Sequence, residues 1–105
     1  MSAKQKPEHD VPTMPSVFFT DGMRLLRLEK EADTELGKQA CEKADTFQLR
    51  HCPGRPHITM AAVAYMLTFK LGSRRNLTEV AKAFCTTEGG IRDRLKQIRL
   101  AGKEG

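Results

Sequence analysis

Between Ile58 and Leu71 only Thr59, Thr68 and Lys70 are polar, and a helix of that composition has almost no face it can show to water. Spanning a bilayer takes about 20 apolar residues, and this run is too short for that. It must therefore be covered by other elements of its own chain. Its ends are marked as well. Cys52-Pro53-Gly54-Arg55-Pro56 cannot be helical through two prolines, and Gly72 stands where a left-handed terminating residue belongs. A fold built on this chain has one buried central helix, and the remaining segments must supply its cover.

Downstream, Asn76 followed three residues later by Glu79 is a capping box with Asn in place of Ser or Thr, predicting a short helix that ends near Phe84 or Cys85. Thr86 or Thr87 ahead of Glu88 opens a last helix, in which Ile91, Leu95 and Ile98 recur at i, i+4 and i+7. Arg92, Arg94, Lys96 and Arg99 are expected to lie mostly outside that apolar face. Two short-linked helices of this kind, the second basic, read as a helix-turn-helix. Upstream, Ser16 to Ala32 is expected to form one helix carrying Phe18, Phe19, Met23, Leu25, Leu26 and Leu28, its start open to slippage toward Thr20 or Asp21. Asp33 or Thr34 caps a second helix with a buried stripe of Leu36, Ala40, Ala44, Phe47 and His51, widened by Cys41. No segment alternates at period two. The expectation is a single all-α domain of five helices over residues 16–100, with a disordered tail at 1–15 and a flexible end at 101–105.

Charge divides the chain. Residues 1–49 carry seven Lys/Arg against nine Asp/Glu, and residues 50–105 carry eleven against four, so the basic half is the half with the helix-turn-helix. Such a field favours a polyanionic partner and speeds encounter with it; the alternative is a solvated basic face that confers solubility alone. The leading segment lacks the apolar run of a secretory signal. Three cysteines, at 41, 52 and 85, have neither paired nor CxxC spacing, consistent with free thiols in a reducing compartment. Cys41 and Cys85 read as small core residues, as do Met60, Tyr65, Met66 and Phe69. His51, Cys52 and His57 lack a fourth ligand and the partner of a cysteine pair, so no metal is expected there. No nucleophile–base set, carboxylate pair or phosphate-cradling glycine loop stands at a usable spacing, so neither enzymatic activity nor a cofactor is expected.

Several of these residues together resemble a known family. Pro53-Gly54-Arg55, the Ala61-Ala62-Val63-Ala64-Tyr65 run, Thr78-Glu79-Val80 and Ile91-Arg92, in this order and spacing, are similar to the cyclin-like repeat of transcription factor IIB and of its RNA polymerase III relative. The likeness covers roughly residues 17–98 and is greatest to the second repeat. It implies a five-helix cyclin-like fold and a general transcription initiation factor domain. The last two helices would then bind promoter DNA, with the TATA-binding protein as partner and the polymerase machinery engaged indirectly. It further implies a nuclear location, or a cytoplasmic one in an archaeon, a monomer, and no membrane association. Arg92 falls where the family has a base-contacting arginine, and an arginine fork matches the two acceptors of guanine. Arg94, Lys96 and Arg99 would contact phosphates. Read from the residues themselves, Arg74 and Arg75 either grip phosphate at the start of the fourth helix or form a solvated loop. Thr87 and Gly89 complete the expected DNA-binding set, Gly89 by letting backbone approach a phosphate.

Gly89 and Gly90 depart from the family pattern, which has a bulkier residue and a Thr or similar, so a contact to a thymine methyl is missing. A zinc ribbon and a second repeat do not occur within these 105 residues, so the expectation is either an excised second repeat or a small divergent relative that alone does not perform the whole initiation role. Two other functions compete. One is a cyclin-like protein-interaction module without direct DNA contact. The other is a stand-alone helix-turn-helix repressor, which would have to dimerise to span two half-sites.

Overall fold

A computed structural model describes residues 13–51 and 54–104. Its elements are a 3-10 turn, Pro15–Phe18, and six helices: α1 (Phe19–Leu25), α2 (Glu29–Ala32), α3 (Glu35–His51), α4 (Pro56–Lys70), α5 (Leu77–Ala83) and α6 (Glu88–Glu104). Among the described residues there is no strand, and no helix is long and apolar enough to cross a membrane.

The buried helix is α4. Met60, Ala61, Ala62 and Ala64 are fully buried and Ile58, Val63 and Leu67 nearly so. The 3-10 turn, α1, α3, α5 and α6 all pack against it. The alanine run lets those neighbours approach closely, and Met23, Leu28, Val80 and Ile91 reach in from four different segments. Ser16 fixes the start of the fold, because both its backbone amide and its hydroxyl donate to the Asp45 carboxylate on α3, at 2.9 and 2.8 Å.

The stretch expected as one helix is three pieces. α1 closes at Leu26, and Arg27, at φ 62°, takes the left-handed position that follows. The amides of Arg27 and Leu28 donate to the carbonyls of Arg24 and Met23, at 2.9 and 2.8 Å. That pair of reversed bonds is a Schellman closure. The same closure ends α4 at Gly72 (φ 74°), as its sequence predicts, and α5 at Cys85 (φ 56°). Breaking the chain at Arg27 lets Leu28 turn into the core at 2% exposure, while Leu25 stays 65% exposed. On α3, Thr34 is the cap, its hydroxyl oxygen accepting from the Gly37 amide at 3.3 Å. The stripe there differs from expectation at its ends: Leu36 and His51 are exposed, and Gln48 is buried instead. The last helix runs on to Glu104, and Pro15 is already buried at the other end. The remainder of the expected tail, residues 1–12, lies outside the described residues.

Gly22 on α1 meets the Phe84 ring so closely that an added Cβ would stand 2.2 Å from Cζ. Phe84 is buried and cannot swing away. Gly22→Ala should therefore lower the urea midpoint, since overpacking of about 1–3 kcal/mol exceeds the roughly 1 kcal/mol that alanine gains in helix propensity. Gly89, with open space around its Cβ position, should respond to alanine in the opposite direction, by up to about 1 kcal/mol.

Candidate nucleic-acid interface

α5 and α6 follow one another across a short turn and pack against each other. At the start of α5 both halves of the capping box are made: Asn76 Oδ1 accepts from the Glu79 amide at 2.8 Å, and Glu79 Oε1 accepts from the Asn76 amide at 3.2 Å. The turn spans Phe84 to Thr87. At its far end Thr87 Oγ1 accepts from the Gly90 amide at 3.0 Å, which identifies Thr87 as the cap of α6. Glu88 then joins the two helices, accepting from the Thr78 hydroxyl at 2.6 Å and from Arg92 Nη2 at 3.5 Å.

Two stripes divide α6. Ile91, Arg94, Leu95 and Ile98 are buried. Gly89, Arg92, Lys96 and Arg99, at the helical spacing of three and four, lie on another face and are exposed. Arg92 and Glu88 form an i, i+4 ion pair with side chains 66% and 40% exposed. A pair so open to solvent is worth only about 0.3–0.5 kcal/mol, so it orients the arginine without holding it back from a stronger anion.

Arg94 corrects the sequence reading. It sits three residues after Ile91, inside the apolar stripe, and is 8% exposed. Its Nη1 donates to Thr59 Oγ1 and, at 3.5 Å, to the Arg55 carbonyl. Thr59 in turn donates to Gln48 Oε1 at 2.5 Å, and Gln48 Nε2 donates to the Gly54 carbonyl at 3.0 Å. The chain of bonds ties α6, α4, α3 and the α3–α4 connection together, and Arg55 itself caps α4 in a left-handed conformation at φ 55°. No carboxylate among the described residues lies within ion-pair distance of Arg94. A guanidinium has no acceptor and five N–H donors, and here two neutral oxygens accept from Nη1. Arg94 thus cannot contact a phosphate from this position; it is a structural cation beneath the exposed basic stripe.

Arg74 and Arg75 lie apart from that stripe. The Arg74 guanidinium stacks 4.9 Å from the centre of the Phe69 ring, which keeps Phe69 at the surface with Tyr65 set edge-on at 5.2 Å. Met60 is fully buried, whereas Tyr65 and Met66 are half-buried. Arg75 is half-buried and donates to the Ser73 and Leu26 carbonyls, at 2.9 and 3.1 Å. The two glycines before Ile91 also differ. A Cβ at Gly90 would come within 3.2 Å of Thr87 Oγ1 and 3.4 Å of Ile58 Cδ1, so close packing accounts for it, while nothing crowds Gly89. Cys85, expected in the core, is exposed in the turn, because the closure of α5 swings it off the helix. Cys41 is half-buried, and burial followed by the nearby Asp45 charge pushes its thiol up from 9.0 to about 11. Among the described residues no group of His, Cys, Asp or Glu is placed to hold a metal ion.

Comparison of the chain with protein-family models, with curated proteins and with solved structures finds no match.

Replacing Thr59 with Val should cost about 1–3 kcal/mol, because Arg94 and Gln48 each lose a buried partner; chemical denaturation of the pair of proteins reads this directly. For the thiols, Cys85 should be alkylated well before Cys41 at about pH 8 in a Cys52→Ser background, since only the thiolate reacts. The raised folded value of Cys41 also has a sign. Its contribution to stability is complete below 9.0 and declines as pH rises toward about 11, where the folded thiol ionises too.

Proposed function

We propose that this protein is a transcription initiation factor domain that binds promoter duplex through α5 and α6, with a cyclin-like arrangement of its helices and the TATA-binding protein as partner. The exposed stripe of Arg92, Lys96 and Arg99 carries the reading. These three cations occupy one face of the second arm of a helix-turn-helix, and the opposite face is anchored in the core. In this reading α6 enters the major groove with its first turns foremost. Arg92 exchanges its exposed Glu88 contact for a base edge, and Lys96 and Arg99 contact phosphates. Thr87 and Gly89 bring backbone to the strand at the groove's edge.

The order of the principal helices supports the cyclin-like arrangement. The long α3, the central α4, the short capped α5 and the long α6 follow one another as the resemblance implies, with α1 and the 3-10 turn taking the first position and the four-residue α2 inserted before α3. The open space at Gly89 supports modest sequence discrimination, since no side chain there can meet a thymine methyl.

Fluorescence anisotropy with a labelled duplex tests the reading. Binding should be measurable at about 50 mM salt and weaken with a log–log slope of roughly −4 to −5, as about four to six phosphates are neutralised. Arg92→Glu should weaken binding about 5- to 150-fold, and Lys38→Glu on the exposed side of α3 should change it little. Absence of duplex binding, together with failure to supershift a complex of the TATA-binding protein with DNA, would remove the proposal. Equal effects of the two charge reversals would remove α6 as the reading helix.

A further inference from the structure

The Schellman closure at Arg27 brings the end of α1 beside α5, and between them lies an open cleft of about 620 Å³. Arg27, Arg74, Arg75 and Lys82 line it, and Glu79 is its one carboxylate. One Glu79 oxygen is already taken by the Asn76 amide. None of the four cations makes an ion pair among the described residues. Four like charges on one concave wall raise each other's energy until an anion enters.

The cleft is also partly organised in advance. Arg75 is fixed by its bonds to the Leu26 and Ser73 carbonyls, which leaves further N–H donors on the same fork. Arg74 is held against Phe69. Arg27 is set at the cleft wall by a left-handed conformation that a non-glycine residue adopts only at a cost, and Lys82 is exposed on α5. Guanidinium forks that donate in pairs, together with an exposed ammonium, suit the successive phosphodiesters of a strand better than a single carboxylate, because the strand repeats a pair of acceptor oxygens at each step along the cleft.

We propose that this cleft is a second phosphate-binding site, separate from the α6 stripe, and that it holds the sugar–phosphate backbone of the DNA duplex. The inference rests on the DNA-binding reading above. It adds Arg27 and Lys82, neither of which belongs to the helix-turn-helix stripe, and gives α1 a part in binding. α5 then lies between two phosphate contacts, with the cleft on its α1 side and α6 on the other.

The double variant Arg27→Gly, Lys82→Gln tests this without disturbing the Arg75 bonds. Glycine accepts the left-handed conformation at position 27 without penalty, and circular dichroism should confirm an unchanged fold. The salt slope for duplex binding should fall by about 2, since each phosphate contact contributes roughly 0.9, and affinity should drop by a similar factor for every duplex sequence. Arg92→Gln should change affinity in a sequence-dependent way instead. A double variant with the wild-type slope overturns the proposal.

Titration of the wild-type protein with inorganic pyrophosphate, followed by amide NMR shifts, separates the cleft from the reading it rests on. Shifts at Arg27, Arg75 and Lys82 that vanish in the double variant support the cleft as a phosphate site. Such shifts in a protein that binds no duplex overturn the DNA backbone as their source. Silence in both titrations overturns the cleft and the DNA reading together.

Discussion

α4 leaves little in water beyond the side of Tyr65, Met66 and Phe69 near its end, and the positions of the other helices follow from the need to cover the rest. Its alanines set how closely neighbours approach, and close approach requires small partners elsewhere. Gly22 lies directly on the Phe84 ring. Gly90 lets the start of α6 sit against Ile58. Covering most of one apolar helix thereby places α5 and α6 at the surface with their outer faces turned to solvent. The basic stripe is exposed because the opposite stripe is needed inside.

What the sequence made legible was whatever depends on local chemistry. The capping box at Asn76 and Glu79, the Thr87 cap and the left-handed Gly72 are each written in residue types that do one job well. The features that could not be read are those where a common residue occupies an uncommon conformation. Arg27 and Cys85 close helices in the position usually given to glycine, and nothing in an arginine or a cysteine announces that. Hence α1 was expected to run on to Ala32, and Cys85 was expected in the core.

Arg94 was misread for a different reason. Its spacing from Ile91 does place it in the buried stripe, but charge argued for the surface, because an isolated buried cation is costly. The cost is met by partners distant in sequence: Thr59, Gln48 and the carbonyl of Arg55. No local pattern reveals such a set. The cleft shared by Arg27, Arg74, Arg75 and Lys82 is likewise assembled across the chain, and of those four only Arg74 and Arg75 stood out in the sequence.

Apolar packing alone lets a helix roll by small angles about its axis, since one methyl group fills a gap much as another does. Directional bonds from a planar guanidinium do not tolerate such rolling. Arg94 therefore fixes the rotational phase of α6, and with it the direction in which Arg92, Lys96 and Arg99 point. The angle presented at the surface is set from inside the core, through a hydroxyl on α4 that is closed off from solvent.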